Sequence, residues 1–225
     1  MKDHPVVLIL GAGPGLGESL CQRFTDANYQ LVTVNRHYEN SKADNYLTDL
    51  GDPKAANTTL NKIVVEYGAP AVVIHNTAQL TIKPFLETST QDYEECWRAM
   101  SMSLFNSMQV LLPSMIAAGQ GCVLVSGATA SIRGGNKFSA FSSAKFALRG
   151  LTQSLAREYQ HQGIHIAHVL LDGIIDTELS RELHSLNPDN MLKPDEVAEQ
   201  YLSIVNQPKS VWTHELDLRP SSETF

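Results

Sequence analysis

Seven residues, Gly11-Ala12-Gly13-Pro14-Gly15-Leu16-Gly17, follow a short apolar run and precede a helical pattern. A glycine-rich strand-to-helix turn lets the backbone approach a phosphate closely. The helix that follows adds free N–H donors and the positive end of its dipole. The pattern is G-x-x-x-G-x-G on Gly11, Gly15 and Gly17. In G-x-G-x-x-G the third glycine would fall on Leu16. A second feature ends the next apolar run, where Asn35-Arg36-His37 carries a base and no acid. An arginine fork suits a phosphate dianion, and an acid would repel it. His75, at the end of another apolar run, is an acid/base candidate, though a lone His is more often structural. His161, His165 and His168 approach metal-ligand spacing. Gly163 separates the first two, and residues three apart on a strand point to opposite faces. They read as structural, with no metal.

These groups need elements to position them. Val6–Leu10, 31–34, 71–74, 122–125 and 164–171 read as buried strands, with 46–47 as a short third strand and 211–213 as the last. Helical patterns run over 15–27, 53–67, 91–118, 139–160 and 194–205, with Pro113 bending or ending the 91–118 helix. Phe141, Phe146, Leu148, Leu151, Leu155 and Tyr159 are the expected core positions of the 139–160 helix. Strands separated by helices imply an α/β fold, a doubly wound parallel sheet with helices on both faces. In such sheets ligands bind at the carboxyl ends of the strands.

The chain has 225 residues, which fits one domain over 1–225. Its net charge of −7 argues against a nucleic-acid partner, because phosphate neutralisation needs a basic surface. No segment reaches the length of a membrane span, and the first residues lack a signal-type apolar stretch. The three cysteines have no metal or redox spacing and read as reduced, buried thiols. A cytoplasmic protein is expected.

From the glycine turn onward the chain resembles the short-chain dehydrogenase/reductase (SDR) family over nearly its whole length. Asp49, in Thr48-Asp49-Leu50, sits where the family contacts adenine. Asn76, in His75-Asn76-Thr77-Ala78, matches the second Asn of the family's N-N-A-G turn. Asp172-Gly173-Ile174-Ile175-Asp176-Thr177 matches P-G-x-x-x-T with Asp in place of Pro. The resemblance implies a single NAD(P)-binding Rossmann-type domain. Gly11, Gly15, Leu16, Gly17, Asn35, Arg36, Asp49, Asn76, Lys145, Gly173 and Thr177 would form the cofactor site, with Thr177 near the nicotinamide carboxamide. The Asn35-Arg36 pair favours NADP(H), with NAD(H) also open.

The resemblance fails at the catalytic positions. The family places Tyr-x-x-x-Lys on its long helix, with the Tyr as acid or base and the Lys binding ribose. A Ser lies about thirteen residues before the Tyr, and an Asn lies on the preceding helix. Here Lys145 matches the lysine. The Tyr, Ser and Asn positions carry Phe141, Ala128 and Met100. Loss of a positioned acid typically costs about 10²–10⁴ in rate. Two readings follow. One is an NADP(H)-dependent oxidoreductase with altered acid/base residues, acting on a small molecule such as an iminium that needs no enzymic proton. The other is a catalytically inactive NADP(H)-binding sensor or partner subunit. The family also implies a homodimer or homotetramer through the helices at 91–118 and 139–160. Ser101, Ser103, Ser107, Ala140, Ala144 and Ala147 would permit close approach there. The tail Trp212–Pro220 departs from the family's glycine-rich end.

Overall fold

The computed structural model describes residues 4–38 and 43–223; the sequence reading of residues 1–3 lies outside them. Every residue of β1 (Val6–Leu10) and of β6 (Ile164–Leu171) is buried. Continuous apolar strands of this kind require cover on both faces, which a parallel sheet with helices on either side provides. Between and around them lie β2 (Gln30–Asn35), β3 (Asp44–Leu47), β4 (Val72–His75), β5 (Gly121–Ser126) and β7 (Glu215–Leu218). All pair in parallel, in the order β3-β2-β1-β4-β5-β6-β7. The order reverses between β1 and β4, which opens a crevice beyond their carboxyl ends.

The period of two along each strand sorts the core into two layers. Val6, Leu8 and Leu10 pack with α2 (Pro53–Tyr67), α4 (Ser103–Ala118) and α5 (Ser139–Tyr159). Val7 and Ile9 pack with α1 (Leu16–Asp26) and α7 (Pro194–Val205) on the other face. The same alternation puts His168 on the first face and His165 on the second. α2 begins where Asp52 accepts the Lys54 and Ala55 N–H groups at 2.8 and 2.9 Å, with Pro53 as its first residue. α3 (Thr90–Trp97) begins with a reciprocal Ser89–Asp92 capping box. Such caps contribute about 1 kcal/mol each.

Several elements differ from the sequence expectation. The 91–118 helix is α3 and α4 joined by a π turn at Arg98–Met102. Pro113 lies inside α4 on its exposed side and does not end it. The last strand is Glu215–Leu218, not 211–213. Lys209–Val211 is a 3₁₀ turn, and Trp212 leaves the sheet to stack on His165 with ring centroids 4.8 Å apart. The short α6 (Glu178–Leu183) has no strong apolar period and was not expected. Phe146 is exposed, whereas Leu148 is fully buried and Leu151, Leu155 and Tyr159 pack against the core. Ala140 and Ala144 pack inside the chain against Cys96 and Met100, so these two small residues serve helix approach within the chain. The three cysteines are buried and none is in a disulfide. Among the described residues no helix is long and apolar enough to cross a membrane, and no His/Cys/Asp/Glu group could hold a metal ion.

Candidate functional site

The glycine turn sits at the crevice, and the structure gives a steric reason for its spacing. Gly11 has φ +90°, and a Cβ there would come within 2.8 Å of the Asn76 backbone. Gly15 has φ +86°, and its Cβ would meet Thr177 Cγ2 at 2.6 Å. A Cβ on Gly17 would lie 2.6 Å from the Ala12 carbonyl carbon, so only glycine lets α1 start this close to the turn. Gly13 faces open space and carries no such demand. The required glycines are therefore Gly11, Gly15 and Gly17.

Two asparagines hold the turn from neighbouring strands. Asn76 Nδ2 donates to the Gly11 carbonyl oxygen at 3.0 Å. Asn35, buried at the end of β2, accepts the Ala12 N–H on Oδ1 at 2.7 Å. Its Nδ2 donates to Asn45 Oδ1 at 2.9 Å, which also accepts the Thr33 hydroxyl at 2.7 Å. Asn35 thus points inward and shapes the turn. The N–H groups of Leu16 and Gly17 open α1 and have no acceptor within it.

The turn forms one wall of a cleft of about 520 Å³ that Arg36, Asp49, Asn76 and Thr177 also line. The Arg36 guanidinium is exposed at this cleft and donates to Gln79 Oε1 at 3.1 Å. Asp49 accepts the Gly51 N–H at 2.9 Å and faces Arg98 of the π turn at 3.3 Å. Thr177 caps α6 by accepting the Ser180 N–H at 3.0 Å, which carries its side chain over Gly15. Gly173 is not on the cleft wall; a Cβ there would meet Pro220 at 2.7 Å.

Lys145 is buried on α5. Its Nζ donates to the Ser126 carbonyl oxygen at 2.8 Å and lies 5.7 Å from the Phe141 ring centroid. Burial pushes its ammonium down to about 8. The Ser126 hydroxyl is paired with Tyr201 of α7 at 2.7 Å. Phe141, Ala128 and Met100 carry side chains that offer no proton. Met100 is fully buried in the π turn, in an apolar cluster against which Phe141 packs. Ala128 carries no polar atom beyond its backbone, and its N–H donates to Ser131 Oγ at 3.1 Å.

A polar group that sequence spacing only hinted at lies buried behind Thr77 and Ser103 of the cleft wall. His75 Nε2 is 2.7 Å from Ser103 Oγ and 3.1 Å from Thr77 Oγ1. Both hydroxyls donate to the Ala99 carbonyl, so the hydrogen shared with Ser103 belongs to His75 Nε2. Burial, reinforced by the Lys145 charge, pushes His75 down to about 3. A neutral imidazole tied to the π turn is a structural pin, not an acid at neutral pH. Thr77 and Ser103 line the cleft and were not among the expected site residues.

Residues 5–187 match the short chain dehydrogenase family. The chain belongs to that family. Its general kind is therefore an oxidoreductase. A short-chain dehydrogenase from Rhodopseudomonas palustris is 29% identical, with a TM-score of 0.81 over 96% of this chain and 98% of its own. An alcohol dehydrogenase from the archaeon Thermococcus sibiricus, complexed with 5-hydroxy-NADP, superposes with a TM-score of 0.86 at 21% identity and 99% coverage of both chains. L-2,3-butanediol dehydrogenase from Corynebacterium glutamicum is 23% identical over 81% of this chain and 78% of its own length. Short-chain dehydrogenase architecture accounts for the parallel sheet, the glycine turn at its switch point and the cleft beside it.

Proposed function

We propose that this chain, as a single domain over 1–225, is an NADP(H)-binding oxidoreductase that works without the family's tyrosine acid. The observation that carries the reading is the one cleft onto which the glycine turn, Arg36, Asp49 and Thr177 all open. The residues fit the cofactor: Gly11, Gly15 and Gly17 let the turn, Asn76, Thr177 and the start of α1 pack this closely, and α1 presents free N–H groups. Arg36 suits the phosphate of NADP(H), and Asn35 keeps the end of β2 neutral. NAD(H) fits the same cradle without using Arg36.

When bound, the nicotinamide supplies a hydride. The chain's own residues bind and orient. Leu16 and Gly17 hold the pyrophosphate through their amides, and Asn35 and Asn76 keep the turn in shape. Asp49 holds the adenine side, and Thr177 borders the nicotinamide side; Gly173, packed against Pro220, takes no part. Lys145 has three donors and gives one to Ser126, which leaves two for ribose hydroxyls. Phe141, Met100 and Ala128 exclude water and supply no proton.

The substrate is therefore a small molecule whose acceptor atom takes a hydride without an enzymic proton, such as an iminium or another activated double bond. The test follows nicotinamide absorbance after mixing the chain and NADPH with a cyclic iminium or with a ketone. Consumption with the iminium and none with the ketone is expected. Comparable rates with the ketone would overturn the reading. The apolar Met100 cluster also favours a second reading, a catalytically inactive NADP(H)-binding sensor or partner subunit. Tight binding with no turnover of either acceptor supports that one. Assembly as a homodimer or homotetramer is part of the proposal, supported by Phe105 and Phe146 exposed on the two long helices. So is a cytoplasmic location, supported by three buried cysteines outside any disulfide.

A further inference from the structure

Two departures from the family pattern, Asp172 before Gly173 and the unusual tail, meet at the head of β6. The Asp172 carboxylate is only 5% exposed. Its Oδ1 accepts the Thr129 hydroxyl at 2.6 Å and lies 3.9 Å from Arg133. Its Oδ2 lies 3.3 Å from Arg219, which also pairs with Asp217. The Asp172 N–H donates to the Leu218 carbonyl oxygen at 2.8 Å. Pro220 lies against Gly173, and Glu223 reaches Arg133 at 4.0 Å. Thr129 directly follows Ala128, one of the substituted catalytic positions.

A buried carboxylate is stable only while its oxygens are paired. Here one oxygen is held by the loop after β5 and the other by the tail after β7. Neither loop can release its partner without exposing or unpairing the same group. A proline, which the family pattern carries at this position, has neither the N–H for Leu218 nor an acceptor for Thr129 and Arg219.

We propose that Asp172 is a positioning residue that couples the C-terminal segment 219–223 to the loop carrying Ala128, so that loosening of the tail is transmitted to that loop. The coupling stands on side-chain geometry and does not depend on which cofactor binds.

The test is hydrogen exchange of the full chain, read at the turn amides of Ser131, Ile132 and Arg133 and at Glu223. These amides are hydrogen-bonded within their own turns and report local opening. Arg219→Ala should speed exchange at Glu223 and, in the same chain, at 131–133, by about tenfold, with α2 unchanged. Thr129→Val should in turn speed exchange at Glu223. In an Asp172→Asn background the two substitutions should no longer influence each other, which a merely structural role would not produce. Faster exchange in the tail with an unchanged 131–133 turn would overturn the coupling. So would an interaction between the two substitutions that persists unchanged in the Asp172→Asn background. Arg219→Ala and Thr129→Val alter partly exposed residues and carry the test if Asp172→Asn does not fold.

Discussion

Met100, fully buried, and Phe141 belong to one apolar cluster with Cys96, Ala140 and Ala144. Neither position carries a polar side chain. A lone Tyr or Asn placed here would direct a polar group toward an apolar cluster. Burial of an unpaired polar group costs roughly 1–3 kcal/mol. Phe141 and Met100 avoid that cost and offer no proton.

Restoring the acid tests whether the rest of the site is intact. Phe141→Tyr with Ala128→Ser should create carbonyl-reductase activity, with a gain on the order of 10²–10⁴ over the unsubstituted chain. Steady-state NADPH oxidation with a simple ketone measures it. A double variant that binds NADPH but gains nothing contradicts the view that only the acid is missing.

The glycine turn makes a position-by-position prediction. Gly15→Ala forces a side chain into φ +86° and onto Thr177, so it should cost about 1–3 kcal/mol and weaken nucleotide binding. Gly13→Ala meets open space and should change stability by less than about 1 kcal/mol. Urea unfolding of both variants checks the contrast. Equal losses would mean that the spacing is not steric in origin.

His75 gives a pH dependence with a definite sign. Its ring is held near a pKa of about 3, against 6.5 in the unfolded chain. Between these values the unfolded chain binds the extra proton, so stability is present above pH 6.5 and is lost as pH falls toward 3. His75→Asn retains a donor for Ser103 and removes the titration. The variant should lose less stability than the unsubstituted chain between pH 6.5 and 4 in matched urea titrations. Identical pH slopes would contradict the assignment of His75 as a buried neutral pin.

Much of this was legible in the sequence because the physics was local. The alternation of Val6–Leu10 with a glycine-rich turn announces a buried strand feeding a helix. The spacing of Gly11, Gly15 and Gly17 matches the three places where a side chain cannot fit. What stayed hidden depends on contacts distant in sequence. Asn35 looks like a residue facing a ribose, yet Ala12 and Asn45 draw it inward. The last strand was misplaced because Trp212 is apolar for its stack on His165, while β7 is a half-exposed edge strand with little apolar signal. The π turn at Arg98–Met102 has no period of its own to read. The role of Asp172 appears only when Thr129 and Arg219 are brought to it by separate crossovers.

The central claim is that the cleft holds NADP(H) with Arg36 on its phosphate. Calorimetric titration of the chain and of Arg36→Ala with NADPH and with NADH tests it most directly. A charge-assisted hydrogen bond contributes roughly 1.5–3 kcal/mol, so NADPH should bind the unsubstituted chain about 10- to 100-fold more tightly than NADH. Arg36→Ala should erase most of that preference and leave NADH binding nearly unchanged. Binding of neither nucleotide, or equal weakening of both by Arg36→Ala, would contradict the account.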